Sequence, residues 1–252
     1  MTLDIGSPVF DRVTHRPYPP PQEPWIGHMR WCDLAFLHWA VDPDLMRPLL
    51  PAGLELDTFD GMAWIGVVPF RMEDVRLRFS PNIPGISAFP ELNVRTYARV
   101  GQRTGVWFFS FDAASAVAVR GARLLFNLPY YDAEMRVEAS GEAIAYQSRR
   151  IHADAPNAEF AARYAPAGEI YEAKPGSLEY FLVERYCLFL VNENGELGYL
   201  DVHHHPWPLQ PATVRIATNT MAAAAGIPLP PQPPLAHFAR DLEVVAWNRQ
   251  SL

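Results

Sequence analysis

The sequence predicts a mainly β fold with interposed helices, a curved antiparallel sheet or barrel forming one domain over residues 1–252. Three observations predict it. Apolar residues gather in many short runs rich in aromatic and β-branched side chains, the composition of buried strands. Helical spacing is confined to a few short segments between those runs. The 252 residues, 49% hydrophobic and 19% charged, suffice for a large core, and no composition shift or internal repeat divides them.

The chain opens with a proline-rich N-terminal arm, residues 1–24, ending in PYPPPQEP (Pro17–Pro24), and a second run, PLPPQPP, occupies Pro228–Pro234. With 25 prolines the chain holds about twice the usual ~5%. Such runs favour extended polyproline geometry, so an arm and a loop lying on the protein's own surface are expected, ahead of a docking ligand for another domain. Pro43–Leu50 reads as a helix, capped by Asp42, with proline at its first position and a stop at Pro51-Ala52-Gly53. Ala63–Phe70 and Val106–Phe111 are buried-strand runs. Leu92–Val100 alternates strictly, with Leu92, Val94, Thr96 and Ala98 on one face and Asn93, Arg95, Tyr97 and Arg99 on the other. Ala113–Phe126, after Asp112, has helical spacing around Val117, Leu124 and Leu125. Met135–Ala139 and Ala143–Arg149 flank a Ser-Gly turn and form a hairpin. Ser177–Arg185 is a serine-capped helix, and Thr220–Ala225 a short turn closed by Gly226. Tyr186–Val191, Gly198–His204, Ala212–Ala217 and Leu242–Trp247 complete the strands.

Composition excludes several functions. The net charge is −7 and no basic stripe occurs, which argues against nucleic acid as a partner. No apolar run reaches the roughly 18 residues of a membrane helix, and no leader pattern opens the chain. Cys32 and Cys187 have neither metal nor disulfide spacing, so reduced thiols and a cytoplasmic location are expected. No phosphate loop, dinucleotide fingerprint, nucleophile elbow or zinc-protease motif is present, and no cofactor is implied. A small-molecule ligand or substrate remains the expected partner, with homo-oligomerisation left open. Of the 21 basic residues Lys174 alone is lysine, so amine chemistry has a single side-chain candidate.

Residues that could carry chemistry are few. Glu91, Asn93 and Arg95 share one strand face, where a carboxylate, an amide and a guanidinium could bind a small polar ligand or move protons. That face looks either inward or to solvent. Arg123 could grip a carboxylate bidentately or be a surface arginine. His203 and His205 would share a strand face, as in some metal sites, but a third ligand is not apparent and no metal is expected. His205-Pro206-Trp207-Pro208 suggests a rigid corner in which His205 and Trp207 could contact a ligand. Glu184-Arg185 reads as a structural pair.

The segments Val41-Asp42-Pro43, Trp64-Ile65-Gly66-Val67-Val68-Pro69-Phe70, Phe89-Pro90-Glu91-Leu92-Asn93-Val94-Arg95-Thr96-Tyr97, Leu128-Pro129-Tyr130-Tyr131, Glu184-Arg185-Tyr186-Cys187 and His205-Pro206-Trp207-Pro208-Leu209 resemble the YqjF-like family of uncharacterised, bacterial-type proteins. The likeness runs from Pro24 to Trp247 and implies the acetoacetate-decarboxylase-like fold. Acetoacetate decarboxylases carry a Tyr-Pro-Lys-Lys segment whose first lysine forms a Schiff base. Here the comparable residues are Asn127-Leu128-Pro129-Tyr130-Tyr131, with tyrosine at both lysine positions. A phenol cannot form an iminium, so lysine-dependent decarboxylation is not expected. The resemblance puts Tyr130 in the nucleophile's place, where it could donate to a carbonyl oxygen; extended geometry after Pro129 turns Tyr131 to the opposite face, where it is a candidate ligand contact. The leading expectation is an enzyme, lyase- or hydrolase-like, acting on a small carbonyl or carboxylic compound. In it Arg123 orients the anion, Tyr130 donates to the oxyanion and Glu91 moves a proton. A non-catalytic small-molecule binder on the same fold is the alternative, and a scaffold working through its proline runs is a third.

Overall fold

A computed structural model describes residues 8–252, so the first seven residues of the proline-rich arm lie outside the described residues. Thirteen strands form one curved sheet: β1 (Gly27–Val41), β2 (Glu55–Leu56), β3 (Ala63–Leu77), β4 (Phe89–Val100), β5 (Arg103–Ala113), β6 (Tyr130–Ser140), β7 (Ala143–Arg150), β8 (Glu159–Pro166), β9 (Cys187–Val191), β10 (Leu197–His203), β11 (Gln210–Asn219), β12 (Leu235–Ala246) and β13 (Gln250–Ser251). Three α-helices interrupt them: α1 (Pro43–Met46), α2 (Ala116–Phe126) and α3 (Leu178–Val183). No helix among the described residues is long and apolar enough to cross a membrane.

The long strands β12, β1, β3, β4 and β5 pair in that order and make the central wall. Parallel pairing of β5 with β6 carries the sheet on through β7, β8 and β11, and β11 returns to β12. Parallel pairing of β5 with β9 leads through β10 to the other end of β12. The wall is therefore covered on both faces. One face packs Leu37, Val67, Leu92 and Val94 against Tyr146, Phe160 and Tyr164. The other packs Phe36, Val68, Phe70 and Tyr97 against α3 and Trp207.

Strand β1 has no counterpart among the sequence expectations, and neither has β8. A wall strand buried on both faces loses the period-two signal. In β1 the pattern is broken further by a register shift between Cys32 and Leu37, where Asp33 adopts φ 53°. Helix α2 begins at Ala116, not Ala113, because Ser115 caps it through the Ala118 N–H. Asp112 stays in β5, where Arg150 holds it. The apolar residues that suggested this helix, Val117, Leu124 and Leu125, are exposed, and Val119 makes the buried contact. The other helix caps hold, with Asp42 accepting from the Asp44 N–H and Ser177 from that of Tyr180, but the expected Pro43–Leu50 helix tightens to a 3-10 turn at Arg47–Leu49 and the Ser177–Arg185 helix ends at Val183.

The arm packs onto the same body. Val9 and Phe10 are buried against Val245 and Trp247, and Arg16 is buried with its Nη1 donating to the Val202 carbonyl.

Gly105 marks the tightest joint. A Cβ there would sit 2.6 Å from the Cys187 carbonyl oxygen and 2.9 Å from the Phe189 ring, where β5 meets β9. Gly105→Ala is expected to cost about 3 kcal/mol, the upper end for an overpacked site. Urea unfolding checks it: a midpoint equal to wild type would show that the joint yields freely.

Candidate functional site

Strand β4 builds the site. Its Glu91, Asn93, Arg95 and Tyr97 side chains share the face toward α3 and Trp207, and all four are buried. The Glu91 face thus looks into the fold. Glu91 is 1% exposed, and Tyr130, at the start of β6, donates its hydroxyl proton to Glu91 Oε2 at 2.9 Å. Tyr130 is aimed there by stacking on Phe111, ring centroids 4.4 Å apart, in the parallel β5–β6 register. From the opposite face Tyr146 donates to the Glu91 carbonyl oxygen at 2.7 Å and pins the backbone beneath the carboxyl.

No cation pairs with Glu91 among the described residues. Burial pushes its pKa up to about 8, the Tyr130 hydrogen bond pulls it down, and the Asp112 charge pushes it up. Burial raises the Tyr130 phenol well above its usual range, and the neighbouring Glu91 adds to this. Glu91 is therefore the member of the pair that titrates near neutrality, and Tyr130 keeps its proton.

Two residues along β4, past Asn93, lies Arg95. It is 9% exposed, donates Nη2 to the Leu182 carbonyl at 3.2 Å and lies over the Phe36 ring at 5.4 Å. Among the described residues no carboxylate pairs with it. Beside it His38 is 1% exposed and lies 2.7 Å, Nε2 to oxygen, from the Tyr97 hydroxyl, which donates to the Leu182 carbonyl at 2.8 Å. Arg185, over the rings of Tyr97 and Phe181, ion-pairs with Asp57 at 2.7 Å and closes this end.

The remaining candidates fall elsewhere. Arg123 is exposed, and its Nη1 donates to the Tyr130 carbonyl at 2.8 Å, so it braces the β6 backbone outside the buried cluster. Tyr131 points away from Tyr130, under the Arg150 guanidinium at 4.1 Å and edge-on to His152. His203 donates Nε2–H to the Val9 carbonyl at 2.7 Å and stacks on Phe10, whereas half-buried His205 sits 2.8 Å from Asp11. Burial lowers His203 to about 4 and His204 to about 3. No group of three or more His, Cys, Asp or Glu among the described residues is placed to hold a metal ion. Trp207 is buried, stacked on Trp31 and edge-on to Phe36, and forms a wall of the site. Lys174 is exposed, outside the cluster. A surface hollow of about 470 Å³ lined by Gly53, Val100, Glu196, Leu197, Ser251 and Leu252 holds none of these candidates.

Sequence reasoning gives no site role to His38, Tyr97 or Arg185; it pairs Arg185 with Glu184, whereas Arg185 pairs with Asp57 and Glu184 accepts from the Tyr186 hydroxyl and the Trp207 N–H. Tyr97 continues the Glu91–Asn93–Arg95 alternation. His38 follows Leu34 and Phe36 at the same spacing, but nothing in its own segment identifies it as facing Arg95.

A family model for uncharacterized conserved proteins, DUF2071, matches residues 28–243, a span that contains every residue of this cluster. The chain belongs to that family. Protein YqjF of Bacillus subtilis (strain 168), itself uncharacterized, is 46% identical over 223 residues, 88% of this chain and 91% of YqjF. Among solved structures, acetoacetate decarboxylase from Legionella pneumophila superposes with TM-score 0.59 at 15% identity, covering 97% of this chain and 95% of that one. The enduracididine biosynthesis enzyme MppR, complexed with pyruvate, superposes with TM-score 0.61 at 13% identity, covering 94% and 93%. These likenesses show an acetoacetate-decarboxylase-like fold in a DUF2071 protein.

Proposed function

We propose that this DUF2071 protein is an enzyme that moves a proton next to the carbonyl of a small oxo acid, without a Schiff base. The observation that carries the reading is the Glu91–Tyr130 pair, a cation-free buried carboxyl held by a phenol on the same strand face as an unpaired arginine. Arg95 takes the anion-binding role that the sequence suggested for Arg123, and Asn93 lies between the two ends. Glu91 and Arg95 are four residues apart on one face, roughly 13 Å along the strand, and small acids of three to six carbons are the ligands to try first. MppR, of the same fold, is described with pyruvate bound, which favours the oxo-acid class.

The step balances simply. Ionised Glu91 removes a proton from the carbon beside the carbonyl, the C–H electrons move onto the carbonyl oxygen, and Tyr130 turns its hydrogen bond from Glu91 to that oxyanion. Losing the Tyr130 hydrogen bond raises the basicity of Glu91 at the moment it is needed.

Proton–deuteron exchange tests the reading. Three- to six-carbon oxo acids in D2O should lose α-proton NMR signal in the presence of the protein, and borohydride should trap no adduct. Tyr130→Phe is expected to slow exchange about 100-fold, the scale of one oxyanion donor, while changing stability by only about 1 kcal/mol. Equal exchange in that variant would remove the hydroxyl from the chemistry. Saturable binding of an oxo acid without exchange would favour the non-catalytic binder instead.

A further inference from the structure

Beside Glu91, on the same face of β4, one acceptor has nothing to bond. Asn93 is 5% exposed, and its Oδ1 is buried without a hydrogen-bond partner. Buried polar groups in native proteins are nearly always paired, so this oxygen marks a place where a ligand completes the bonding. The register says which part of the ligand. Asn93 stands between Val68 of β3 and Phe111 of β5. Phe111 is paired in turn with Tyr130, whose ring stacks on it and whose hydroxyl reaches across to Glu91. Asn93 thus lies in the row along which Tyr130 enters, and next to Glu91 on its own strand, roughly 7 Å away along the backbone. The neighbour of Glu91 on its other side, Phe89, is apolar and buried.

Donors and acceptors on this face do not balance for a plain oxo acid. Such an acid offers acceptors, its carboxylate and carbonyl oxygens, and Arg95 and Tyr130 are the donors that take them. Asn93 Oδ1 then still lacks a donor. The carbon that yields its proton lies against Glu91, with its carbonyl neighbour on Tyr130. A hydroxyl carried by that carbon turns toward Asn93, since Phe89 offers it nothing. An ammonium in its place would pair with ionised Glu91 and weaken it as a base, so the neutral hydroxyl is the group that fits.

We propose that Asn93 is a specificity residue whose Oδ1 accepts from a hydroxyl on the carbon that Glu91 deprotonates. The substrate class narrows to oxo acids that carry a hydroxyl next to the carbonyl, on the proton-bearing carbon. This rests on the reading of Glu91 as the base and Tyr130 as the oxyanion donor. The proton passes to Glu91, the C–H electrons form the new C=C bond, and the carbonyl pair moves onto the oxygen facing Tyr130. The hydroxyl keeps its own proton, held on Asn93 Oδ1, and an enediolate results. A plain oxo acid leaves Asn93 Oδ1 unpaired, and a site built to bond a hydroxyl discriminates against ligands that lack one.

The test compares matched acids on the full-length protein. Exchange of 3-hydroxypyruvate and of pyruvate is followed by NMR in D2O. Each rate is divided by the buffer-catalysed rate of the same acid, because the hydroxyl alters the acidity of the C–H bond itself. Wild type is expected to favour the hydroxylated acid in kcat/KM by at least about tenfold, the scale of one hydrogen bond to a buried group. In Asn93→Leu that ratio should fall toward one, and Asn93→Ala serves in its place should leucine not fold. A wild-type ratio near one, or a ratio unchanged in the variant, would overturn the role of Asn93 while exchange of both acids upholds Glu91 and Tyr130. No exchange of either acid beyond the buffer rate would overturn both readings.

Discussion

Glu91→Gln is expected to stabilise the protein and abolish its turnover. The wild-type carboxyl titrates at about 8 in the fold, against an ordinary value of 4.5, because burial penalises its charged form. Between those two values the unfolded chain gives up the proton while the folded chain keeps it. Stability therefore falls as pH rises through the window from about 4.5 to about 8. At pH 7 the penalty is on the order of 3 kcal/mol, since each pH unit above the ordinary value contributes about 1.4 kcal/mol. Glutamine keeps an acceptor for the Tyr130 hydroxyl and carries no charge, but its amide N–H groups must be buried, which offsets about 1 kcal/mol. A net gain of about 2 kcal/mol at pH 7 follows, or roughly 4–8 °C in midpoint for a chain of this size. The gain should vanish near pH 5, turn into a loss of about 1 kcal/mol at pH 4, and grow toward pH 8. Thermal unfolding of both proteins across that range checks it. A glutamine variant less stable than wild type at pH 8 would mean that the carboxylate is held ionised by a cation. Turnover should fall by about 100-fold or more, as for the loss of a general base. Wild-type exchange should rise with pH up to about 8, the value at which Glu91 ionises.

A carboxyl kept at a cost to stability is a mark of function, and half of that arrangement was legible in the sequence. The alternation through Leu92–Val100 places Glu91, Asn93 and Arg95 on one face because an antiparallel strand has period two, and the structure keeps that face together. The hairpin around Ser140-Gly141 and the caps at Asp42 and Ser177 were legible for the same reason, since each is settled within a few residues. What was not legible depends on distant residues. Alternation says which side chains share a face, but both faces of β4 are buried, and only the coverings from Tyr146 and Trp207 tell them apart. Asp112 and Ser115 are equally good helix caps in sequence. Arg150, 38 residues away, claims Asp112, and Ser115 caps the helix. Arg123 and Arg95 are equally good anion ligands as residue types, and only burial separates them.

Arg150→Met tests the long-range pair that supports this strand. Arg150 donates Nε and Nη2 to the two carboxylate oxygens of Asp112 at 2.7 and 2.8 Å, with Asp112 fully buried and Arg150 nearly so. Removing one partner of such a pair leaves an uncompensated buried charge, and a loss of about 4 kcal/mol is expected. Replacing both partners should restore most of it, so Asp112→Asn with Arg150→Met is expected to be more stable than Arg150→Met alone. Urea unfolding at pH 7 measures the three. If the double variant were no better than the single one, the pair would stabilise through packing, including the Arg150 cover over Tyr131, and not through charge. The site should register the change as well. Asp112 flanks Phe111, the ring on which Tyr130 stacks, and its charge opposes ionisation of Glu91. Without Arg150 the buried Asp112 carboxyl loses the hydrogen bonds and the charge that hold its pKa down, and burial drives it to keep a proton. Its opposition to Glu91 ionisation is then lost, so the pH dependence of exchange should move downward in Arg150→Met and stay down in the double variant. An unmoved profile would show that Glu91 is tuned by burial and Tyr130 alone.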